Sequence, residues 1–209
     1  MDTVDFIKQF PLRFYEKGEV IMGEGEVVST FLFIESGFIK ITSLDETGAE
    51  HLLWIACSED CIPSEHFFSL HNHLAYFYTA LTSTSVRCVP KDDYLTYARS
   101  HPPVMTDIAA SLSDYSDDLL MRVGSLSQPS IHDKLVATLR YLGSRFGNDA
   151  TVDLHKIGLT LTHQDIAEMI GSTRETTSLE LEKLRLFGYI SYSRSCFVIN
   201  TNELRSIYP

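Results

Sequence analysis

Between Leu161 and Leu184 the chain carries two helix-start signatures ten residues apart, a pairing that few folds accommodate. Thr162 followed by Asp165 has capping-box spacing, and so has Ser172 followed by Glu175. Each places a short polar side chain where it can accept from the orphan amides of a first helical turn. Gly171, between them, is free to take the left-handed backbone that an abrupt connection demands. The spacing predicts two short helices joined by a tight turn, the second capped by Ser172. On that second helix Thr177, Leu181 and Leu184 share one side and are expected to pack inward. Glu175, Ser178, Leu179 and Glu182 share the other, with Arg174 at the exposed N-terminal end.

A helix N-terminus whose amides favour phosphate, with polar side chains projecting outward, suits the major groove of duplex DNA. Any helical hairpin could carry the same two caps, so the specificity of the signal lies in the residues after the second helix. The stretch Phe187 to Ile199 alternates apolar and polar residues on both sides of Ser193-Arg194-Ser195, which predicts a β-hairpin directly after that helix, a wing. Candidate DNA contacts are Thr162 and Gln164 at the first helix, Ser172, Thr173 and Arg174 at the start of the second, and Arg194 in the wing. Glu175, Thr176, Ser178 and Leu179 complete the set along the outward face. For Arg174 a guanine contact and a phosphate contact both stand open.

From Leu12 to Pro90 short β-rich runs alternate with Gly and acidic turns, notably Glu19–Met22, Thr30–Ile34, Phe38–Thr42 and His51–Ile55, and this predicts a sandwich or barrel. After His101-Pro102-Pro103 the pattern turns helical. Ile108, Leu112, Tyr115, Leu119 and Leu126 succeed one another at spacings of 4, 3, 4 and 7, a seam interrupted at Arg122. Such a seam is expected to meet its own copy in a homodimer; the alternative is a long helix lying on the barrel. Ser127 to Ser130 reads as a hinge by composition. A further helix is expected over Ile131–Phe146, with Ser130 and Asp133 in capping-box spacing, a stripe of Ile131, Leu135, Leu139, Leu142 and Phe146, and Gly147 ending it.

Charge separates the two parts. The net charge of -11 resides wholly in residues 1–129, which hold 8 Lys and Arg against 19 Asp and Glu, whereas residues 130–209 hold 9 of each. Only the second part is electrostatically fit to approach phosphate. Four scattered cysteines, no apolar run of membrane-spanning length and an N-terminus with Asp2 and Asp5 point to a cytoplasmic protein with no membrane partner. No Gly-rich phosphate loop, nucleophile elbow or His-Glu-x-x-His occurs, so an enzyme is not expected.

Gln164-Asp165-Ile166-Ala167 and Gly171-Ser172-Thr173-Arg174-Glu175-Thr176 closely resemble the helix-turn-helix signature of the Crp-Fnr transcription regulators. Lys17 to Ile21, Phe33 to Gly37 and Gly48 to His51 resemble that family's sensor barrel more loosely. The resemblance covers essentially the whole chain and implies an α+β protein. Its expected parts are a cyclic-nucleotide-binding-like β-roll (a double-stranded β-helix) over residues 1–100, a dimerisation helix over 101–128 and a winged helix-turn-helix over 129–209. It further implies binding of double-stranded DNA at a two-fold symmetric operator, control by a small-molecule effector, and contact with RNA polymerase if the protein activates.

Three departures from the family pattern stand out. Cyclic AMP-binding members carry a Gly-Glu pair and then an Arg-Ser or Arg-Thr pair; here those positions fall near Pro63-Ser64 and Leu74-Ala75. A buried cyclic phosphate without a cation is costly, so no response to cyclic AMP is expected. The oxygen-sensing branch holds an iron-sulfur cluster with clustered N-terminal cysteines, and none precedes Cys57 here. Four residues after the recognition Glu many relatives carry Arg, where this chain has Leu179.

The region between those positions offers Cys57, Cys61, His66, His71 and His73 together with aromatic residues. Trp54, Phe67, Phe68, Tyr76 and Tyr78 are candidates for an aromatic-lined effector pocket. The cysteine and histidine spacings match no specific metal motif, and neither metal nor other cofactor is expected. Two alternatives are a haem- or metal-dependent sensor using these residues, and a protein-interaction module of the same fold with degenerate DNA binding, which Leu179 and the acidic Glu175, Glu180 and Glu182 would suit.

Overall fold

The computed structural model describes residues 3–147, 154–193 and 196–200. The chain divides into two compact units, residues 1–117 and 118–209.

In the first unit a short helix α1 (Thr3–Lys8) precedes eight strands: β1 (Leu12–Tyr15), β2 (Val20–Met22), β3 (Thr30–Ser36), β4 (Ile39–Leu44), β5 (Glu50–Ala56), β6 (Cys61–Ile62), β7 (Phe77–Ala80) and β8 (Thr84–Pro90). They form two four-stranded sheets, ordered β1-β8-β3-β6 and β2-β7-β4-β5, with antiparallel neighbours throughout. All four strand-forming runs anticipated in the sequence are present. Phe31 and Ile34 from one sheet meet Ile39, Trp54 and Tyr78 from the other in a single apolar core. The turn from β3 to β4 depends on Gly37, whose φ is 88° and whose absent Cβ would lie 2.5 Å from the Ser83 carbonyl oxygen. Helix α2 (Lys91–Ser100), not foreseen, closes the unit with Tyr94, Leu95, Tyr97 and Ala98 buried. Its start is marked by Pro90 and by Asp92 and Asp93 in the first turn.

Helix α3 (Pro102–Leu126) is continuous over 25 residues and contributes to both units. The first part of its seam, Ile108, Leu112 and Tyr115, is covered within the first unit. Ile108 is 2% exposed in the barrel core, and Leu112 and Tyr115 pack against the same core, Tyr115 edge-on to Trp54 with ring centroids 4.7 Å apart. The reason is geometric: a heptad repeat says which residues share a face, and the barrel supplies the cover before a second chain is needed. Leu119 is half-buried and Leu126 exposed. The solvent-facing side carries Leu120, Met121 and Val123, with Ala109, Ser113 and Ser116 earlier.

The second unit holds the end of α3, then α4 (Ile131–Phe146), β9 (Leu154–Thr160), α5 (His163–Ile170), α6 (Arg174–Leu186), β10 (Ile190–Ser193) and β11 (Cys196–Asn200). Helix α4 starts where expected, with the Ser130 side chain accepting from the Asp133 amide at 3.1 Å, and ends at Gly147. Leu135, Leu139, Leu142 and Phe146 are buried as expected, and Ile131 is half-buried. The two strands of the wing hairpin pair, and β9, not foreseen, adds a third in the order β10-β11-β9. The period-2 signal is present in β9: Ile157 and Leu159 are buried, while Lys156, Gly158 and Thr160 are exposed.

Replacing Gly37 by Ala is expected to lower stability by about 1–3 kcal/mol, because both the positive φ and the backbone approach exclude a side chain. A shift of the urea midpoint would show it, and an unchanged midpoint would contradict it.

Candidate nucleic-acid interface

Helix α5 begins with both reciprocal bonds of the anticipated capping box: the Asp165 amide donates to Thr162 Oγ1 at 3.1 Å, and the Thr162 amide donates to Asp165 Oδ2 at 2.7 Å. It ends at Gly171, which adopts the left-handed conformation with φ 63°. The Ser172 amide then donates back to the Ala167 carbonyl at 3.0 Å, so Ser172 is spent completing the turn. The cap of α6 is therefore Thr173, whose Oγ1 accepts from the Thr176 amide at 3.2 Å. This corrects the assignment of Ser172 and Glu175 as a second capping box. Two adjacent hydroxyl residues satisfy the spacing rule about equally, and the left-handed glycine consumes one residue more than the rule allows.

Thr177, Leu181 and Leu184 are fully buried, as expected, and fix the rotation of α6. Arg174, Glu175 and Thr176 are exposed, Ser178 is half-buried and Leu179 is 66% exposed. The acidic residues farther along α6 are paired within the unit. Glu180 accepts from Lys183 Nζ at 2.6 Å and lies 3.0 Å from His132 Nδ1; Glu182 accepts from Arg185 at 2.6 and 2.8 Å. Their charge is thus met locally, leaving the N-terminal turn of α6 as its exposed polar face. On α5 Thr162 is committed to its cap, and Gln164, exposed, donates to Glu168 at 3.0 Å. Arg194 lies outside the described residues.

One residue of this site carried no signal in the sequence. His163, at the start of α5, hydrogen-bonds Ser178 Oγ through Nδ1 at 2.9 Å and meets Tyr192 of β10 edge-on, with centroids 5.4 Å apart. It therefore joins α5, the outward face of α6 and the wing. Partial burial, and then the nearby Arg174 charge, hold its pKa below the ordinary value of 6.5.

Two family profiles match in the order of the two units: that of the cyclic nucleotide-binding domain over residues 12–101 and that of the Crp-like helix-turn-helix domain over residues 133–207. The chain belongs to the Crp-Fnr family. This is a family of DNA-binding transcription regulators, not of enzymes. The Crp-Fnr chain is 26% identical to Electron transport regulator A of Shewanella oneidensis over 187 residues, covering 88% of this chain and 72% of that one. It is 21% identical to the cAMP-activated global transcriptional regulator CRP of Escherichia coli over 194 residues, 93% and 91% of the two chains. Among solved structures it is similar to FixK2 from Bradyrhizobium japonicum, with a TM-score of 0.78 at 19% identity over 94% of this chain and 96% of that one.

In the barrel of this Crp-Fnr chain four of the five aromatic residues expected to line an effector pocket, Trp54, Phe67, Tyr76 and Tyr78, belong to or pack against one core cluster. Trp54, Phe67 and Tyr78 are core: Phe67 packs on Phe31 with centroids 4.7 Å apart, and the Tyr78 hydroxyl donates to Glu65 Oε1 at 2.5 Å. Phe68 is 52% exposed. Tyr76 lines an open cleft of about 730 Å³ with Glu65, His66, His71 and His73. Aromatic residues in a sequence do not by themselves tell a filled core from the wall of a cavity. Pro63-Ser64 lies at a 3-10 turn (Ser64–His66), Leu74 is buried, and no Lys or Arg occurs from Ile41 to Val86. Among the described residues no three His, Cys, Asp or Glu side chains are placed to hold a metal ion, and no helix is long and apolar enough to cross a membrane.

Removing the cap by Thr173→Ala is expected to cost about 1 kcal/mol of stability, and Ser172→Ala less than about half of that; denaturant titration separates the two, and the reverse order would restore Ser172 as the cap. Because the folded pKa of His163 is lowered, the unfolded chain takes up the proton first, so stability is lost as pH falls through 6.5. The Tm of His163→Gln is expected to fall less steeply than that of the wild type over this window, and parallel curves would remove the assignment.

Proposed function

We propose that this Crp-Fnr chain acts as a homodimer in the cytoplasm, reads a two-fold symmetric operator through the N-terminal turn of α6, and is controlled by an effector other than cyclic AMP. The observation that carries the reading is that outward face: Arg174, Glu175 and Leu179 project beside a capped N-terminus while the remaining acids of the helix are paired. Glu175 suits a cytosine amino group and Leu179 a thymine methyl, whereas the bidentate guanine contact that Arg makes four residues after the Glu in many relatives has no counterpart. The half-site is therefore a different one, with Arg174 supplying either a guanine or a phosphate contact.

Dimerisation is assigned to the solvent-facing side of α3, where Leu120 and Val123 continue the heptad spacing of Ala109, Ser113 and Ser116. The reading against cyclic AMP rests on charge: a phosphate would enter a stretch with Glu65 and no Lys or Arg. Whether the protein contacts RNA polymerase depends on whether it activates.

Binding to duplexes selected from random sequence tests the reading. Affinity is expected to fall roughly a thousandfold between about 50 and about 200 mM salt, as for release of counterions from six or more phosphates, and to be unchanged by cyclic AMP. Leu120→Glu combined with Val123→Glu is expected to give monomers that lose the operator. Recovery of the ordinary TGTGA or TTGAT half-site, cyclic AMP dependence, or undiminished binding by the double variant would each refute the corresponding part.

A further inference from the structure

Arg122 is only 3% exposed, a costly position for a guanidinium. Its neighbours account for it. Nη2 donates to the Met169 carbonyl of α5 at 2.7 Å, Nη1 reaches Thr138 Oγ1 of α4 at 3.4 Å, and the guanidinium carbon lies 5.7 Å from the Tyr141 ring centroid. Burial pushes its pKa down, yet arginine stays charged at any pH the protein meets. Met169 contributes one of the last four carbonyls of α5, which lack an intrahelical donor, and it stands two residues before Gly171. Arg122 thus supplies from α3 the donor that the end of the first helix of the helix-turn-helix needs. One turn earlier on α3, Asp118 forms an ion pair with Arg145 of α4.

Both ties span the connection 127–130, the segment whose composition suggests a hinge. With them in place the last turns of α3, α4 and the start of the recognition turn move together. We propose that Arg122 is a positioning residue, supported by the Asp118–Arg145 pair, that locks the helix-turn-helix to the end of α3. The helix then sets the orientation of α6, and the connection does not.

This rests on the dimeric DNA-binding reading, so the decisive experiment compares two operators, one with its selected half-site spacing and one lengthened by a single base pair. Wild type is expected to reject the longer operator. Arg122→Met, dimeric and cooperatively folded, is expected to lose about two- to thirtyfold of that discrimination. Should Arg122→Met fail to fold, Asp118→Asn is expected to shift discrimination in the same direction by a smaller factor. A loss of stability alone would weaken both operators equally, and a folded variant with wild-type discrimination would overturn the proposal. A second readout needs no DNA. Amide exchange at Gly171 and Ser172 is expected to rise in Arg122→Met relative to the amides of α4, and a uniform rise would count against the lock. A wild type that proves monomeric overturns the dimer reading and leaves the exchange measurement to decide on Arg122.

Discussion

One face of α3 is covered within its own chain, the first half inside the first unit and the last turns inside the second. The face runs at helical spacing from Val104 through Ile108, Leu112 and Tyr115 to Asp118, Arg122 and Ser125, but its chemistry changes midway. Over the first half the contact is apolar, with Val104 and Ile108 in the barrel core. Over the second half the contact is made by a buried cation and an ion pair. The difference is mechanical as well as energetic. Apolar burial is nondirectional, roughly 25 cal/mol for each Å² removed from water, and tolerates small displacements. A hydrogen bond from a buried guanidinium to one carbonyl weakens steeply as its geometry is disturbed.

That asymmetry also orders the recognition region. The α5–α6 turn is fixed from above by Gly171 and the Thr173 cap, and from α3 by Arg122 on Met169. The wing is fixed to the same turn through His163, which touches Ser178 on one side and Tyr192 on the other. The polar face of α6 is therefore held by contacts from three directions, as a groove reader requires if its side chains are to meet base edges in register.

The sequence was most legible where a local rule has one solution. Ser130 and Asp133, or Thr162 and Asp165, specify a helix start by a bond between neighbours, and α4 and α5 begin where those bonds are. It was least legible where the rule names a face without naming its cover. The spacing of Ile108, Leu112 and Tyr115 is correct as a seam, and nothing in it distinguishes a partner helix from the chain's own barrel. Arg122 interrupts that seam on paper because a buried cation is intelligible only once its acceptor, 47 residues away in sequence, is known. The same holds for Trp54 on β5 and Tyr78 on β7: their inward direction is readable from the strands, whereas whether they enclose a ligand or fill the space themselves depends on packing between sheets. The cap of α6 failed for a smaller reason, a choice between two consecutive hydroxyl residues.

Charge divides the labour between barrel and winged helix. The part that meets phosphate in the proposed reading is neutral overall, and within it Glu180 and Glu182 of α6 are matched by Lys183, Arg185 and His132. The first unit carries the whole acidic excess and, from Ile41 to Val86, no fixed positive charge. A surface of that kind repels nucleic acid at long range and raises the cost of any anionic ligand. Both consequences support the proposed reading, in which the winged helix meets duplex DNA and the effector is not a cyclic phosphate. The Glu65 carboxylate, which accepts from the Tyr78 hydroxyl, lines the same cleft as Tyr76 and adds a negative charge to that acidic surface.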